Sequence, residues 1–215
     1  MNTRARTRTG LALALCTAVS GGAALAADIL HVPGDAASIQ QAIDQSVDGD
    51  TIVVAPGVWN EMINLSGKAI VLRSAEGPKE TVLDGRGLPG SIMTCVEGES
   101  RSTRIEGFTL RGGNGDPSIH GPGNTVGGAL LIIGSSPFIT DCIFEGNTSR
   151  LQGGAVYCAR DAHPTFENCR FTRNTSEKGG AIFCLLSNTR FQNCRFDSNL
   201  AQFSGGAVFN SSRCS

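Results

Sequence analysis

Large rings and charges are scarce in this sequence: aromatics make up 6% of its 215 residues and charged side chains 17%, whereas glycine occurs 28 times. That much glycine excludes a helical bundle, and the apolar content excludes a disordered tail; the mixture suits thin apolar strands joined by many tight turns. Neither sign of charge is in excess, with 18 Lys and Arg against 19 Asp and Glu, so nucleic acid is not expected as a partner. Long apolar runs are missing as well. The run Leu11 to Val19 is too short to anchor in a bilayer and no later stretch reaches the required length, so no transmembrane helix is expected. There is no Cys-x-x-Cys, no histidine near the cysteine pattern, no run of paired aspartates and no calcium-type carboxylate cluster, so neither a metal nor another cofactor is expected. A length of 215 residues and 22.4 kDa allows one ordinary domain or one elongated array.

What is present begins with an export signature. Arg4, Arg6 and Arg8 precede the apolar run, and Ala24-Leu25-Ala26 supplies a small-residue cleavage site, so residues 1–26 read as a signal peptide. The arginines are not adjacent, which argues against a twin-arginine route, and Leu15 before Cys16 argues against a lipoprotein. Removing the three arginines leaves 15 basic against 19 acidic side chains, a mature charge of −4. The expected location is secreted, periplasmic or at the cell surface.

The tripeptide Gly-Gly-Ala recurs at 127, 153, 179 and 205, a spacing of 26 each time. Phe-x-x-Asn interleaves with it at Phe144 to Asn147, Phe171 to Asn174 and Phe196 to Asn199, and two residues before each Phe stands Cys142, Cys169 or Cys194. Units of this length, holding short β-branched or aromatic runs closed by Gly, Asn or Ser, are coils of a parallel β-solenoid. Upstream the period loosens, but Thr51 to Val54, Ala69 to Arg73, Thr81 to Asp84, Ile92 to Val96 and Ile105 to Leu110 read as strands, with turns at Pro56-Gly57, Asp84-Gly85 and Gly112-Gly113. The segment 111–126 is expected to loop out of its coil. One helix is readable over 38–47: Ser38 and Gln41 form a capping box, Ile39, Ala42, Ile43 and Val47 make its apolar stripe, and Gly49 ends it. It is the expected lid on the first coil.

At these residues the chain resembles the right-handed parallel β-helix proteins of the pectin-lyase-like superfamily. The stretch Ser38-Ile39-Gln40-Gln41-Ala42-Ile43 through Asp48-Gly49-Asp50-Thr51-Ile52 and Ala55-Pro56-Gly57 is similar to the opening of many exported bacterial β-helix proteins. The Gly-Gly-Ala and Phe-x-x-Asn pair is similar to the repeats of chlamydial polymorphic outer-membrane proteins. The resemblance implies an all-β, right-handed parallel β-helix with a short N-terminal capping helix. The expected division is a signal peptide over 1–26, an N-terminal cap over 27–50 and the β-helix over 51–215. The last Gly-Gly-Ala unit extends about eleven residues to Ser215, so an incomplete final coil and end-to-end self-association are expected. On function the resemblance is broad, because the superfamily holds lyases, hydrolases, adhesins and passive scaffolds alike.

Aligning the coils stacks Cys142, Cys169 and Cys194 in one column and Cys158 over Cys184 in another. A disulfide along a column needs local distortion, since rungs lie about 4.8 Å apart and disulfide Cβ atoms about 3.8 Å; buried thiols are the favoured reading. Asn147, Asn174 and Asn199 are expected to stack and to tolerate the left-handed turn conformation. After each Gly-Gly-Ala, alternation sends Leu130, Val156, Ile182 and Val208 with the cysteines inward, and Leu131, Tyr157, Phe183 and Phe209 outward. Tyr157, Phe183 and Phe209 are then candidate ligand-binding residues on a surface stripe for sugar rings or a partner protein, unless a loop covers them.

For catalysis the candidates are Glu145, Asp197, Arg170 and Arg195, on the outward side of one sheet. Glu145 and Asp197 are two coils apart, about 9.6 Å, near the upper limit for an inverting carboxylate pair; a solvated, salt-bridged face is the simpler reading. Asp116 and His120 in the glycine-rich loop are weaker still. The residues therefore favour a noncatalytic exported scaffold binding polysaccharide or a cell-surface protein, the alternative being a divergent pectate-lyase-like or glycoside-hydrolase-like enzyme.

Overall fold

Short alternating runs, many of them closed at a left-handed residue, wind residues 27–211 described by the computed structural model into a parallel β-solenoid. The first sheet has seven strands: Ile29–Val32, Thr51–Val54, Val71–Ser74, Arg104–Glu106, Phe138–Thr140, Thr165–Glu167 and Arg190–Gln192. The second has six: Gly57–Trp59, Thr81–Asp84, Thr109–Arg111, Ile143–Glu145, Arg170–Thr172 and Arg195–Asp197. The third also has six: Ile63–Asn64, Met93–Cys95, Leu130–Ile133, Val156–Ala159, Ile182–Leu185 and Val208–Ser211. Thr175–Lys178 and Leu200–Ser204 form a separate two-stranded pair.

In-register pairing converts the repeat into columns of like residues. Leu83, Leu110, Phe144, Phe171 and Phe196 point inward from the second sheet. Ring centroids of Phe144 and Phe171 lie 4.7 Å apart, and those of Phe171 and Phe196 4.9 Å, nearly parallel in both cases. Leu130, Val156 and Ile182, with Cys158 and Cys184, line the interior of the third sheet as the alternation predicts.

The asparagines form the expected ladder, though not with the expected backbone. Asn174 donates from Nδ2 to the carbonyl of Phe144 and to Asn199 Oδ1, and its own Oδ1 accepts from Asn147 N–H and Nδ2. The left-handed conformation falls one residue earlier, on Gly146, Arg173 and Ser198, leaving the asparagines free to reach across coils.

The helix runs Ile39–Gln45, capped by Ser38, whose side chain accepts from Gln41 N–H. Gln41 Oε1 accepts from Ala37 N–H rather than from the cap residue, so the box reaches one position further back. Val47 is exposed and lies outside the apolar stripe, because the helix has already ended at Ser46. Glu61 receives Ile39 and Gln40 N–H at the helix start, and Lys68 Nζ donates to the carbonyls of Ile43, Asp44 and Ser46 at its end. These charges match the signs of the helix dipole. Gln40 also exchanges two hydrogen bonds with the Asn64 backbone, at the outer strand of the third sheet.

Two boundaries differ from those read in the sequence. The β-structure starts before the helix, since Ile29–Val32 pairs in parallel with Thr51–Val54. The run 105–110 is two strands on two sheets, broken where Gly107 takes φ +74°. The signal-peptide reading falls on residues 1–26 and lies outside the described residues, as do the final residues 212–215.

The Gly-Gly pairs meet two demands. The first glycine is left-handed, and in the pairs at 127, 153 and 179 a Cβ on the second would overlap the carbonyl oxygen of its counterpart one coil on, as with Gly154 against Gly180. Gly146, also left-handed, has nothing within 4 Å of a built Cβ. Gly146→Ala should therefore cost only the left-handed penalty, about 1 kcal/mol, and Gly154→Ala more than about 3 kcal/mol. Urea unfolding of both variants checks this; equal losses would show that coil spacing does not depend on the glycine pair.

Candidate functional site

The outward side of the second sheet carries two columns. One runs Val82, Thr109, Ile143, Arg170, Arg195 and the other Asp84, Arg111, Glu145, Thr172, Asp197. The candidate residues from the sequence therefore do share one face. Glu145 and Asp197 do not pair with each other: Thr172 lies between them in register, Glu145 is held by Arg173, and Asp197 lies 3.6 Å from Arg170. Arg195 is exposed beside Arg170.

Further up the column is a group that reads in the sequence as the end of a strand and the turn after it. The Asp84 side chain is 4% exposed and sits between two guanidinium groups, accepting from Nε and Nη2 of Arg86 and of Arg111. Asn60 Nδ2 fixes this corner by donating to the carbonyls of Asp84 and Arg86. The Arg86 hydrogen bond outweighs the opposing effect of burial and brings the Asp84 carboxyl down from 3.8 to about 2. An open cleft of about 280 Å³ follows, lined by Arg86, Arg111, Gly112, Glu145 and Gly146. Asp84 and Arg111 stand 27 residues apart in the sequence, close to the repeat length, and that spacing was the available signal.

The third sheet corrects the surface-stripe expectation. Tyr157 is 2% exposed and Phe183 3%, while Phe209 is half-buried. Outside the solenoid interior they form a second apolar cluster with Val126, Leu131 and Ala159, against Ile119, Leu151, Ile133 and Leu185. The cause is the glycine-rich segment: Asp116 and Val126 pair antiparallel, so the loop folds back and seats Val126 and Ile119 over the aromatic column. Positions of the same column in earlier coils are the polar Asn64 and Thr94. Within the loop, Asp116 Oδ1 accepts from Ser118 N–H and His120 is exposed.

Cys95, Cys142, Cys158, Cys169, Cys184 and Cys194 are free thiols. Cys142, Cys169 and Cys194 each donate to the carbonyl two residues back, those of Thr140, Glu167 and Gln192. The hydrogen bond shared with Cys184, together with burial, pushes the Cys158 thiol up; buried thiols of this kind are inert packing groups. Among the described residues no group of three or more His, Cys, Asp or Glu is placed to hold a metal, and no helix is long and apolar enough to cross a membrane.

Two measurements follow from this geometry. Because the folded pKa of Asp84 is depressed, its contribution to stability is present above about pH 4 and is lost as pH falls through about 2. Urea unfolding of the parent chain and Asp84→Asn should differ at pH 5 and converge towards pH 2; a difference independent of pH would remove the ion-pair explanation. Tyr157→Ala should cost about 3 kcal/mol as a core truncation, whereas a solvent-facing stacking residue would cost less than about 0.5 kcal/mol.

No curated protein and no solved structure matches the chain. Residues 95–215 match the family described as the right-handed β-helix region. With that match covering the coils in which Gly-Gly-Ala recurs, and with strands stacked in parallel register throughout, the chain belongs to the right-handed β-helix family.

Proposed function

We propose that this chain is an exported, noncatalytic β-helix scaffold that binds polysaccharide or another acidic cell-surface component along the outward side of its second sheet. The observation that carries this reading is the charge of that side. Arg86, Arg111, Arg170, Arg173 and Arg195 stand there with Asp84, Glu145 and Asp197, and each of those carboxylates is already ion-paired. Acid–base catalysis needs a carboxyl free to take and give a proton near neutral pH; Asp84, held at about 2, is a fixed anion that orients two arginines. An extended face with excess guanidinium groups suits a repeating anionic polymer, which arginine grips through paired N–H donors. Export rests on the pattern of residues 1–26.

The test uses the mature chain with pectin, alginate and a neutral glycan, following binding, reducing ends and unsaturated products together. Expected are binding of the acidic polymers that weakens with salt, no turnover, and about fivefold to tenfold weaker binding in Arg170→Gln/Arg195→Gln. Turnover abolished by Glu145→Gln or Asp197→Asn would replace this reading with that of a divergent lyase or hydrolase.

A further inference from the structure

A second cleft, of about 290 Å³, opens at the corner between the third and first sheets and is lined by Arg101, Ser136, His163, Asn188 and Arg190. Ser136, His163 and Asn188 occupy the corners of three successive coils, so they stand along the solenoid axis at about 4.8 Å intervals. The corners are tied together: His163 N–H donates to Ser136 Oγ, and Asn188 N–H to the carbonyl of Ala162.

The two arginines are brought to this corner by one residue. Arg101 lies 64 positions before Thr165, yet its Nη2 donates to Thr165 Oγ1 at 2.7 Å. Arg190 is the register partner of Thr165 on the next strand of the first sheet. The buried threonine thus fixes one guanidinium and carries the other beside it.

The lining is rich in donors. Arginine donates only, the Asn188 amide and the Ser136 hydroxyl each offer donors, and the His163 ring keeps at least one N–H in either protonation state. No carboxylate lines the cleft. Behind it, Glu99 is buried and spends its oxygens on Gly67 N–H, Glu97 N–H and Ser135 Oγ, so it does not neutralise the arginines through an ion pair. Two permanent positive charges surrounded by donors match a ligand that carries two negative charges spread over several acceptor oxygens.

We propose that this corner binds a doubly charged tetrahedral oxyanion, as inorganic phosphate or as a phosphate monoester. The site is separate from the second-sheet face and does not depend on glycan binding there. Arg101 and Arg190 hold oxygens through charge-assisted bonds, and Asn188 with Ser136 completes the tetrahedral set.

Calorimetric titration of the mature chain at pH 7.5 with inorganic phosphate, glucose 6-phosphate and acetate tests the assignment. Saturable one-to-one binding of phosphate or its ester is expected, weakened about tenfold or more by Arg190→Gln or Arg101→Gln and unaffected by Lys79→Gln. Asn188→Asp, which leaves the Arg101–Thr165 bond in place, should abolish it by putting a carboxylate into the cleft; circular dichroism confirms that each variant is folded. Tighter binding of glucose 6-phosphate identifies an ester as the source, and tighter binding of inorganic phosphate identifies the free anion. The proposal is overturned if neither phosphate compound binds saturably, if acetate binds as tightly, or if the arginine variants bind as well as the parent. Glycan binding measured through Arg170→Gln/Arg195→Gln reports on the other face, so either result can fail alone.

Discussion

Everything in this molecule depends on how closely successive coils can approach. Parallel pairing sets the distance, and Gly128, Gly154 and Gly180 are where it is enforced, because any side chain there would collide with the carbonyl one coil on. Once the spacing is fixed, the buried positions of the repeat favour residues that stack on their own copies. Phenylalanine does so through parallel rings, asparagine through a chain of amides, and cysteine as a small thiol tucked against a carbonyl. The scarcity of charge has the same origin, since a charged inward column would set like charges against each other in the core.

The fold was legible because it is written many times over. Four Gly-Gly-Ala triplets and three Phe-x-x-Asn strands at one period leave little freedom, and the direction of the aliphatic and cysteine column follows from simple alternation. The left-handed residue could be misplaced by one position because asparagine is a good occupant for it, yet here the asparagine side chain is needed elsewhere. Ile29–Val32 is not legible as a strand because four residues before a helix carry no repeat signal, and only pairing with Thr51–Val54 makes them one.

The candidate site was less legible for a related reason. Alternation says which residues leave the interior, but not whether they meet solvent. Tyr157 and Phe183 leave it and are buried all the same, because residues 115–126 close over them. The Asp84 cluster draws on three coils and contains no local motif; a lone Asp-Gly reads as a turn until Arg86 and Arg111 converge on its carboxylate. The corner cleft is similar, since Arg101 and Arg190 meet only through Thr165. Sites assembled along the axis of a solenoid are spelled one letter per coil.

The Gln40 side chain has a further consequence. By giving one hydrogen bond to the Asn64 backbone and taking one from it, its amide imitates a neighbouring strand. The outermost strand of the third sheet therefore offers no open template at that residue, and a foreign β-segment arriving there meets a partner already in place. At this edge a single carboxamide stands where a further strand would pair, and growth by strand addition is foreclosed at Asn64.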